Sequence, residues 1–583
     1  MADSQNNGSK IGPPKKEMSM EMRLLLALLL TVPIMFLGPY FLGSQQPEQP
    51  AKKTAAPKGP SNPAAQTSST APAPPPAASQ PPVAAAGHGT PQDALPPVPI
   101  DTDLYHIVFT NHGATVSTWQ LKKYRGNDNK LLDLVNTAGG WIAPFSMDIP
   151  SDKALEQRLN WTYFAQQPDA DGLGVSFTYS DGHVAVKKTF RFEKNSYLST
   201  VTSELTEDGR PVAQGLQWRC GFGDLTVPNA SSNLHAVYYD NNGSGFLGLT
   251  QGKLEEKGAG KETIQASGQH SFAGVSDTYF AAVFLPMNGA PMHETVFTDY
   301  TNTAAEAKKL PYPGIAVSDG NANQFRFYVG PKDYDLLKRI DPRLEQLVNF
   351  GWIAVLAKPL FLIVNWTNDN IVHSFGWSII VCTIVLNVVL FPLRISSMKS
   401  MRKMQALKPQ IDEINAKYKG MSMRDPRKSE QTQETMGLYK KHGVNPTGGC
   451  LPMLLQFPIV IAFYYVFRVA IEMRGASWLW VSDLSQPETL PIRILPVVLI
   501  ATQFLTQKMM PQPGADANAQ RMNKFMPLIF GFMFYNFQSG LVLYYLTSNL
   551  VSSGLQWFFN KTDTARLAEQ SVLPAPKKKP GKR

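Results

Sequence analysis

The sequence predicts a polytopic α-helical membrane protein of six spans that carries a large β-sandwich domain on the non-cytoplasmic side. Three observations carry this expectation. Apolar runs near bilayer length stand at 24–43 and, in succession, between 376 and 560. The intervening 101–335 segment alternates apolar and polar residues with a period of two between turn-forming residues. Lys and Arg collect beside the apolar runs, where they act as topology signals. Bulk values alone mislead, because the mean hydropathy of −0.18 and the net charge of +10 average over these unlike regions of 583 residues.

In chain order, 1–23 is a polar, basic cytoplasmic tail with Lys15, Lys16 and Arg23. Residues 24–43 are apolar for about 20 positions, enough to cross a hydrocarbon core of roughly 30 Å. Gly43-Ser44-Gln45-Gln46 is a poor cleavage site, so this run is expected to be an uncleaved anchor and not a signal peptide. Residues 44–100 are rich in Pro, Ala, Ser and Gln and lack the aliphatic bulk to offset ordering entropy; they form a linker. Within 101–335, Val175, Phe177 and Tyr179 alternate up to the turn Ser180-Asp181-Gly182-His183, and Val184, Val186, Phe190 and Phe192 resume the pattern, which makes a hairpin. Asn241-Asn242-Gly243 marks a second turn.

From 336 the period becomes helical, and 336–375, with Lys358-Pro359 inside and Trp352 and Trp366 at the ends of its apolar part, reads as an amphipathic helix lying in the membrane interface. A five-span unit follows at 376–560, with apolar runs at 376–393, 449–470, 491–510, 525–537 and 541–559. The segment 394–441 carries twelve Lys/Arg against five Asp/Glu and is a helical hairpin. Its basic excess, Lys508, Arg521 and Lys524, and the 561–583 tail ending in Lys577-Lys578-Lys579 all fall on one side if there are six spans. The positive-inside rule makes that side the cytoplasm, with both termini.

No catalytic motif is found. Gly258-Ala259-Gly260-Lys261-Glu262 lacks the spacing and hydroxyl of a phosphate loop, and there is no H-E-x-x-H or G-x-S-x-G. None of the nine histidines falls in a span, and Cys220, Cys382 and Cys450 suit packing better than a disulfide or metal site. The expectation is therefore no enzyme, no metal and no cofactor. What the spans do contain is uncharged polar residues at helical spacing. Tyr545, Asn549, Ser552 and Gln556 follow one another on the last span, Gln503, Thr506 and Gln507 on the fourth, and Thr383 and Asn387, then Arg394, on the second. Gln456 lies two turns before Tyr464 and Tyr465 on the third. Such residues serve either as hydrogen bonds between helices or as the lining of a hydrated cavity, and stripes on four spans favour the cavity. In the hairpin, Met398, Met401, Met404 and Leu407 recur among basic residues. Adaptable methionines suit contact with varied apolar partners, the alternatives being self-packing or rest on anionic lipid.

Phe391-Pro392-Leu393, Leu407-Lys408-Pro409, Asn445-Pro446-Thr447-Gly448-Gly449-Cys450-Leu451-Pro452, Gln456-Phe457-Pro458, Gln507-Lys508-Met509 and the run Ser539–Tyr545 followed by Ser548-Asn549-Leu550 together resemble the YidC/Oxa/Albino membrane insertases, in order and spacing. The tethered β-domain behind a first anchor resembles the Gram-negative layout, which implies a supersandwich in the periplasm and residence in the bacterial inner membrane. The resemblance implies an insertase and chaperone that works without nucleotide hydrolysis through a groove open to cytoplasm and lipid. It implies nascent membrane proteins, the Sec translocon, the ribosome and lipids as partners, and no specific nucleic acid. Thr383, Gln456 and Tyr545 match groove or client-contact positions. One departure stands out: Asn387 occupies the family's intramembrane Arg or Lys position, and Arg394, about 10 Å further along the helix, is expected to supply part of that positive field. A secondary transporter using the same polar stripes is the competing reading, although no internal repeat accompanies it.

Overall fold

The computed structural model describes residues 93–135, 142–219, 221–227, 234–242, 245–250, 264–301, 310–320, 322–418, 427–444, 451–509 and 517–572. The expected anchor at 24–43, most of the linker, the Gly258–Glu262 segment, the Asn445–Cys450 motif and the end of the basic tail lie outside the described residues.

The β-region is three antiparallel sheets. One is a meander of Val98–Asp101, Tyr105–Thr110, Thr115–Arg125 and Leu131–Asp133. A ten-stranded sheet runs in spatial order Gly245–Thr250, His235–Asp240, His270–Ser276, Phe280–Pro286, Ala322–Pro331, Leu198–Glu207, Val184–Arg191, Gly174–Ser180 and Ala165–Pro168, with Arg210–Pro211 beside Leu198–Glu207. A five-stranded sheet orders Ile264–Gly268, Met292–Thr301, Leu310–Ser318, Gly215–Trp218 and Ser146–Asp148. The hairpin read from the alternation is present, with Tyr179 opposite Val186 and Val175 opposite Phe190. Strands on both sides of the Asn241-Asn242 turn also pair.

All three sheets contribute to one aromatic core. Trp119 of the meander touches Phe145 and Trp218 at ring distances of 6.3 and 6.1 Å, and Phe145 meets Phe327 of the large sheet at 5.1 Å. Each such ring removes a large apolar area from water, and tilted or edge contacts suit the ring quadrupoles. A short helix, α1 (Lys153–Asn160), interrupts the β-region, its first turn capped by the Asp152 carboxylate. Lys188 occupies an inward position of the Val184–Arg191 alternation. Its ammonium donates to the carbonyls of Gly113 and Phe145, both at 2.9 Å, and burial pushes it down to about 7.

The helical region begins with α2 (Tyr334–Ile340), capped by Asp333. The 336–375 segment is not one helix. Pro342 starts a separate 3-10 turn, Gly351 takes a φ of +66°, and only then does α3 (Ala354–Thr367) form. A π turn and a left-handed His373 lead into α4 (Phe375–Val389), and the two halves meet at 115°. The following helices are α5 (Phe391–Ala406), α6 (Lys408–Lys417), α7 (Arg427–Lys441), α8 (Leu451–Val469), α9 (Ile494–Met509), α10 (Ala517–Phe534) and α11 (Ser539–Val572). Helix α11 is the hub and packs on α4, α8 and α9, while α3 packs on α4 and α8. Among the described residues no single helix is long and apolar enough to cross a membrane. The bent α3–α4 pair passes that test by length and composition, and shorter apolar helices occur at Leu455–Val469, Ile494–Lys508 and Phe525–Phe534. Large apolar side chains stand exposed on these helices, among them Val388, Val389, Leu505, Ile529 and Phe532. So extensive an uncovered apolar surface needs a non-aqueous surrounding.

The connection between α8 and α9 seats the β-region on the helices. Its Arg474 donates to Asp224 Oδ2 at 2.5 Å and to the Arg125 carbonyl at 3.0 Å, and its guanidinium lies over the rings of Tyr279 and Phe280 at 5.0 and 5.4 Å. The Asp224 amide donates to Asp277 Oδ2 at 2.8 Å, and Lys332 Nζ donates to the Asp277 carbonyl at 2.7 Å. Burial drives the Asp277 carboxyl up and the Lys332 amine down, to about 8. Nearby, Glu472 accepts from the Tyr334 amide at 3.1 Å, so the same connection also grips the start of α2.

Candidate functional site

The polar residues of these helices form two hydrogen-bonded groups on adjoining faces of α11. On the first face Thr383 is fully buried and returns its hydroxyl to the Ile379 carbonyl at 2.6 Å. One turn later Asn387 donates to the Thr383 carbonyl at 2.7 Å and lies 3.4 Å from the Ser548 hydroxyl. Leu390 breaks α4 from α5, and Arg394 comes from the first turn of α5. Its guanidinium donates to Gln456 Oε1 on α8 at 3.0 Å and to the Ser552 hydroxyl on α11. Gln456 in turn donates to the Tyr544 hydroxyl and approaches Ser548 at 3.4 Å.

Asn387 and Arg394 therefore share one network through Ser548, Gln456 and Ser552. Only one member is charged, and among the described residues no carboxylate pairs with it. A guanidinium held by amide and hydroxyl oxygens keeps its field, which an ion pair would cancel.

On the other face Gln503 of α9 donates to the Tyr545 hydroxyl at 3.1 Å, and the hydroxyls of Thr506 and Ser553 lie 2.6 Å apart. Phe534 of α10 stacks on the Tyr545 ring at 4.9 Å. Asn549, between Tyr545 and Ser553 in helical phase, has its amide nitrogen buried and unpaired. The expected single stripe Tyr545–Asn549–Ser552–Gln556 is thus divided: Ser552 belongs with Arg394, and Tyr545 with α9. Sequence reasoning missed Tyr544 and Ser548, although their spacing of four from each other and from Ser552 was a detectable signal. Tyr464 joins neither group; it makes edge contacts with Tyr465 and Phe537, both at 5.7 Å. Gln507 is half-buried on the last turns of α9.

The hairpin departs from expectation. Met404 and Leu407, expected to offer contact surface to clients, are buried with Ile411, Tyr439 and Val444 in a core between α6 and α7. Two short amphipathic helices bury their apolar stripes against each other, which removes that area from water. Met398 is half-buried, and the Met401 side chain lies outside the described residues. Among the described residues no group of His, Cys, Asp and Glu could hold a metal ion.

Two family models divide the chain. The YidC periplasmic domain matches residues 97–363 and the 60Kd inner membrane protein matches 366–566. The membrane protein insertase YidC of Syntrophus aciditrophicus is 32% identical over 568 residues, covering 93% of this chain and 100% of the relative. That of Cupriavidus necator is 32% identical over 512 residues, covering 82% and 85%. A crystal structure of an active YidC insertase with its first transmembrane domain resolved aligns with 80% of this chain and 95% of its own, at 19% identity and a TM-score of 0.36. With a full-length relative at this identity and two adjoining models covering the β-region and the helices, the chain belongs to the YidC family of inner-membrane protein insertases, with the periplasmic domain of that family.

Proposed function

We propose that the insertase works through a half-way hydrated groove that opens to the cytoplasm and to lipid and closes toward the periplasm, with the Arg394 network as its polar wall. In this reading the chain has six spans with both termini in the cytoplasm, and the bent α3–α4 pair marks where an interfacial helix turns into the membrane. The observation that carries the proposal is the Arg394 guanidinium, held between α5, α8 and α11 by neutral oxygens. A charge kept without a counter-ion among apolar helices needs water or a transient anionic guest.

Bringing Asp, Lys or Arg to the middle of a bilayer costs roughly 2.5–3.5 kcal/mol on insertion scales. A wet groove shortens the dry distance that a client's polar tail crosses, and Arg394 lowers the cost further for acidic tails. The client's own apolar segment, about 20 residues long, then drives net transfer, so no nucleotide hydrolysis is needed and no chemical catalysis occurs. Thr383, Asn387, Gln456, Tyr544, Ser548 and Ser552 line the polar wall. Tyr464, Gln503, Gln507, Tyr545 and Asn549 flank the groove, and the client's apolar segment slides past α8 and α10, the third and fifth spans. Clients arrive as nascent chains from the ribosome or from the Sec translocon. Site-specific crosslinkers at 383, 456 and 545 should capture a ribosome-stalled nascent membrane protein. Capture from Leu505 on the far face of α9, with none from those three sites, would overturn the groove.

A further inference from the structure

The connection between α8 and α9 does more than seat the β-region. Trp478 and Val481 exchange backbone hydrogen bonds at 2.9 and 2.8 Å, closing a two-residue turn with Leu479 and Trp480 at its tip. Leu479 takes a φ of +49°, a left-handed conformation that costs a branched residue about 1–2 kcal/mol, so the surrounding structure imposes it. The imposing contacts are visible. The Trp478 indole lies directly on the first turn of α4, where a Cβ on Gly376 would come within 2.2 Å of it, and Trp377 meets its ring edge-on at 5.6 Å. The Trp480 indole nitrogen donates to Glu488 Oε1 at 3.3 Å, and the same carboxylate accepts from the Ile494 and Leu495 amides at the start of α9.

The product of this rigid frame is exposed apolar surface. Leu479 is 66% and Trp480 43% exposed, with Ile492 at 69% just ahead of α9 and Trp377 at 47% beside them. A strained turn that holds a leucine and a tryptophan outward serves no packing within the chain. We infer that the Leu479–Trp480 tip is a lipid-binding element that dips into the outer leaflet, between headgroups and acyl chains, and fixes the depth at which the β-region rides. The occupant follows from position. The tip adjoins the ends of α4 and α9, whose apolar faces are uncovered, and it lies on the side of the helices that holds the β-region through Arg474. Tryptophan with a polar indole nitrogen and an apolar body partitions to that depth of a bilayer. Carboxylate Glu488 holds the indole nitrogen at the polar level while the ring and Leu479 point onward.

This inference rests on the reading of α9 as a membrane span, and the test separates the two. In the full-length chain with its three native cysteines replaced by alanine, Leu479→Cys, Leu505→Cys and Trp161→Cys are each labelled with an environment-sensitive fluorophore. The proteins are then reconstituted in phosphatidylethanolamine–phosphatidylglycerol vesicles. Lipids carrying a nitroxide just below the headgroup should quench the label at 479 strongly, and aqueous iodide should quench it several-fold less than the label at the exposed β-region residue 161. Iodide quenching at 479 equal to that at 161, with 505 quenched by lipid, would overturn the tip while leaving the span in place. A label at 505 quenched by iodide and not by lipid would overturn both. A label at 479 shielded from iodide and lipid alike would show a protein-covered tip and also overturn the inference.

Discussion

Removing Arg474 tests the seat of the β-region most sharply. Its side chain is 10% exposed and that of its partner Asp224 is 1% exposed, so Arg474→Ala strands a carboxylate that solvent does not reach. Breaking a buried pair from one side costs about 3–5 kcal/mol, because the remaining charge is left desolvated. Loss of the guanidinium from the faces of Tyr279 and Phe280 adds about 1–2 kcal/mol. The structure also dictates a rescue. Thr226 donates its amide and hydroxyl to Asp224 Oδ1, at 2.9 and 2.6 Å, and an asparagine oxygen accepts both equally well. Asp224→Asn in the Arg474→Ala background should therefore recover part of the loss, whereas Asp224→Asn alone, which weakens an intact pair, should be destabilising. Thermal unfolding of the four proteins in detergent micelles, followed by tryptophan emission and by limited proteolysis of the β-region, measures the cycle. Equal and additive losses in both single variants and the double variant would refute the stranded-charge reasoning.

Three further outcomes follow from the same structure. Arg394→Ala should reduce insertion of clients with acidic tails more than neutral ones, since a carboxylate roughly 8 Å from the guanidinium gains about 2 kcal/mol at an effective dielectric near 20; equal insertion of both in reconstituted vesicles would contradict it. Glu472 is pushed up to about 7 by burial and then by the nearby Asp333 and Asp335 carboxylates. A carboxyl raised in the folded state stabilises it below the unfolded value and loses that contribution as pH rises through about 7. Unfolding midpoints should thus fall across that window and flatten in Glu472→Gln. Gly376→Ala places a Cβ within 2.6 Å of the root of the Trp478 side chain, which cannot swing away cheaply, and should cost about 1–3 kcal/mol in the same unfolding assay.

What was legible in the sequence tracks how local its cause is. Alternation over 175–192 fixed a hairpin because side-chain period and turn chemistry both act within a few residues. Lys188 escaped notice because a lysine at a core-facing position is accepted only by carbonyls from distant loops, those of Gly113 and Phe145. The 336–375 segment shows helical period throughout, yet Pro342 and Gly351 divide it, and a π turn ending at a left-handed His373 bends it into α4. In the site, helical phase puts Asn387 and Arg394 on one face, and the two are linked through Ser548, Gln456 and Ser552. Phase alone does not tell which neighbour each residue of an α11 face meets: Tyr545 and Ser552 share a face but bond to α9 and to Arg394. Likewise the Met404 and Leu407 spacing showed an apolar stripe without showing that Tyr439 and Val444 would cover it.

In the proposed groove, water enters the helical bundle from one end and stops part-way. Helix α8 samples the gradient, since Gln456 lies toward the hairpin and Tyr464 toward the β-region. With the native cysteines replaced, Gln456→Cys and Tyr464→Cys can each be challenged from either side of the membrane with a charged thiol reagent. Water entry from the cytoplasm predicts rapid modification at 456 from that side only and slow modification at 464 from both sides. An unreactive thiol at 456, or one at 464 that reacts as fast as 456, would contradict it.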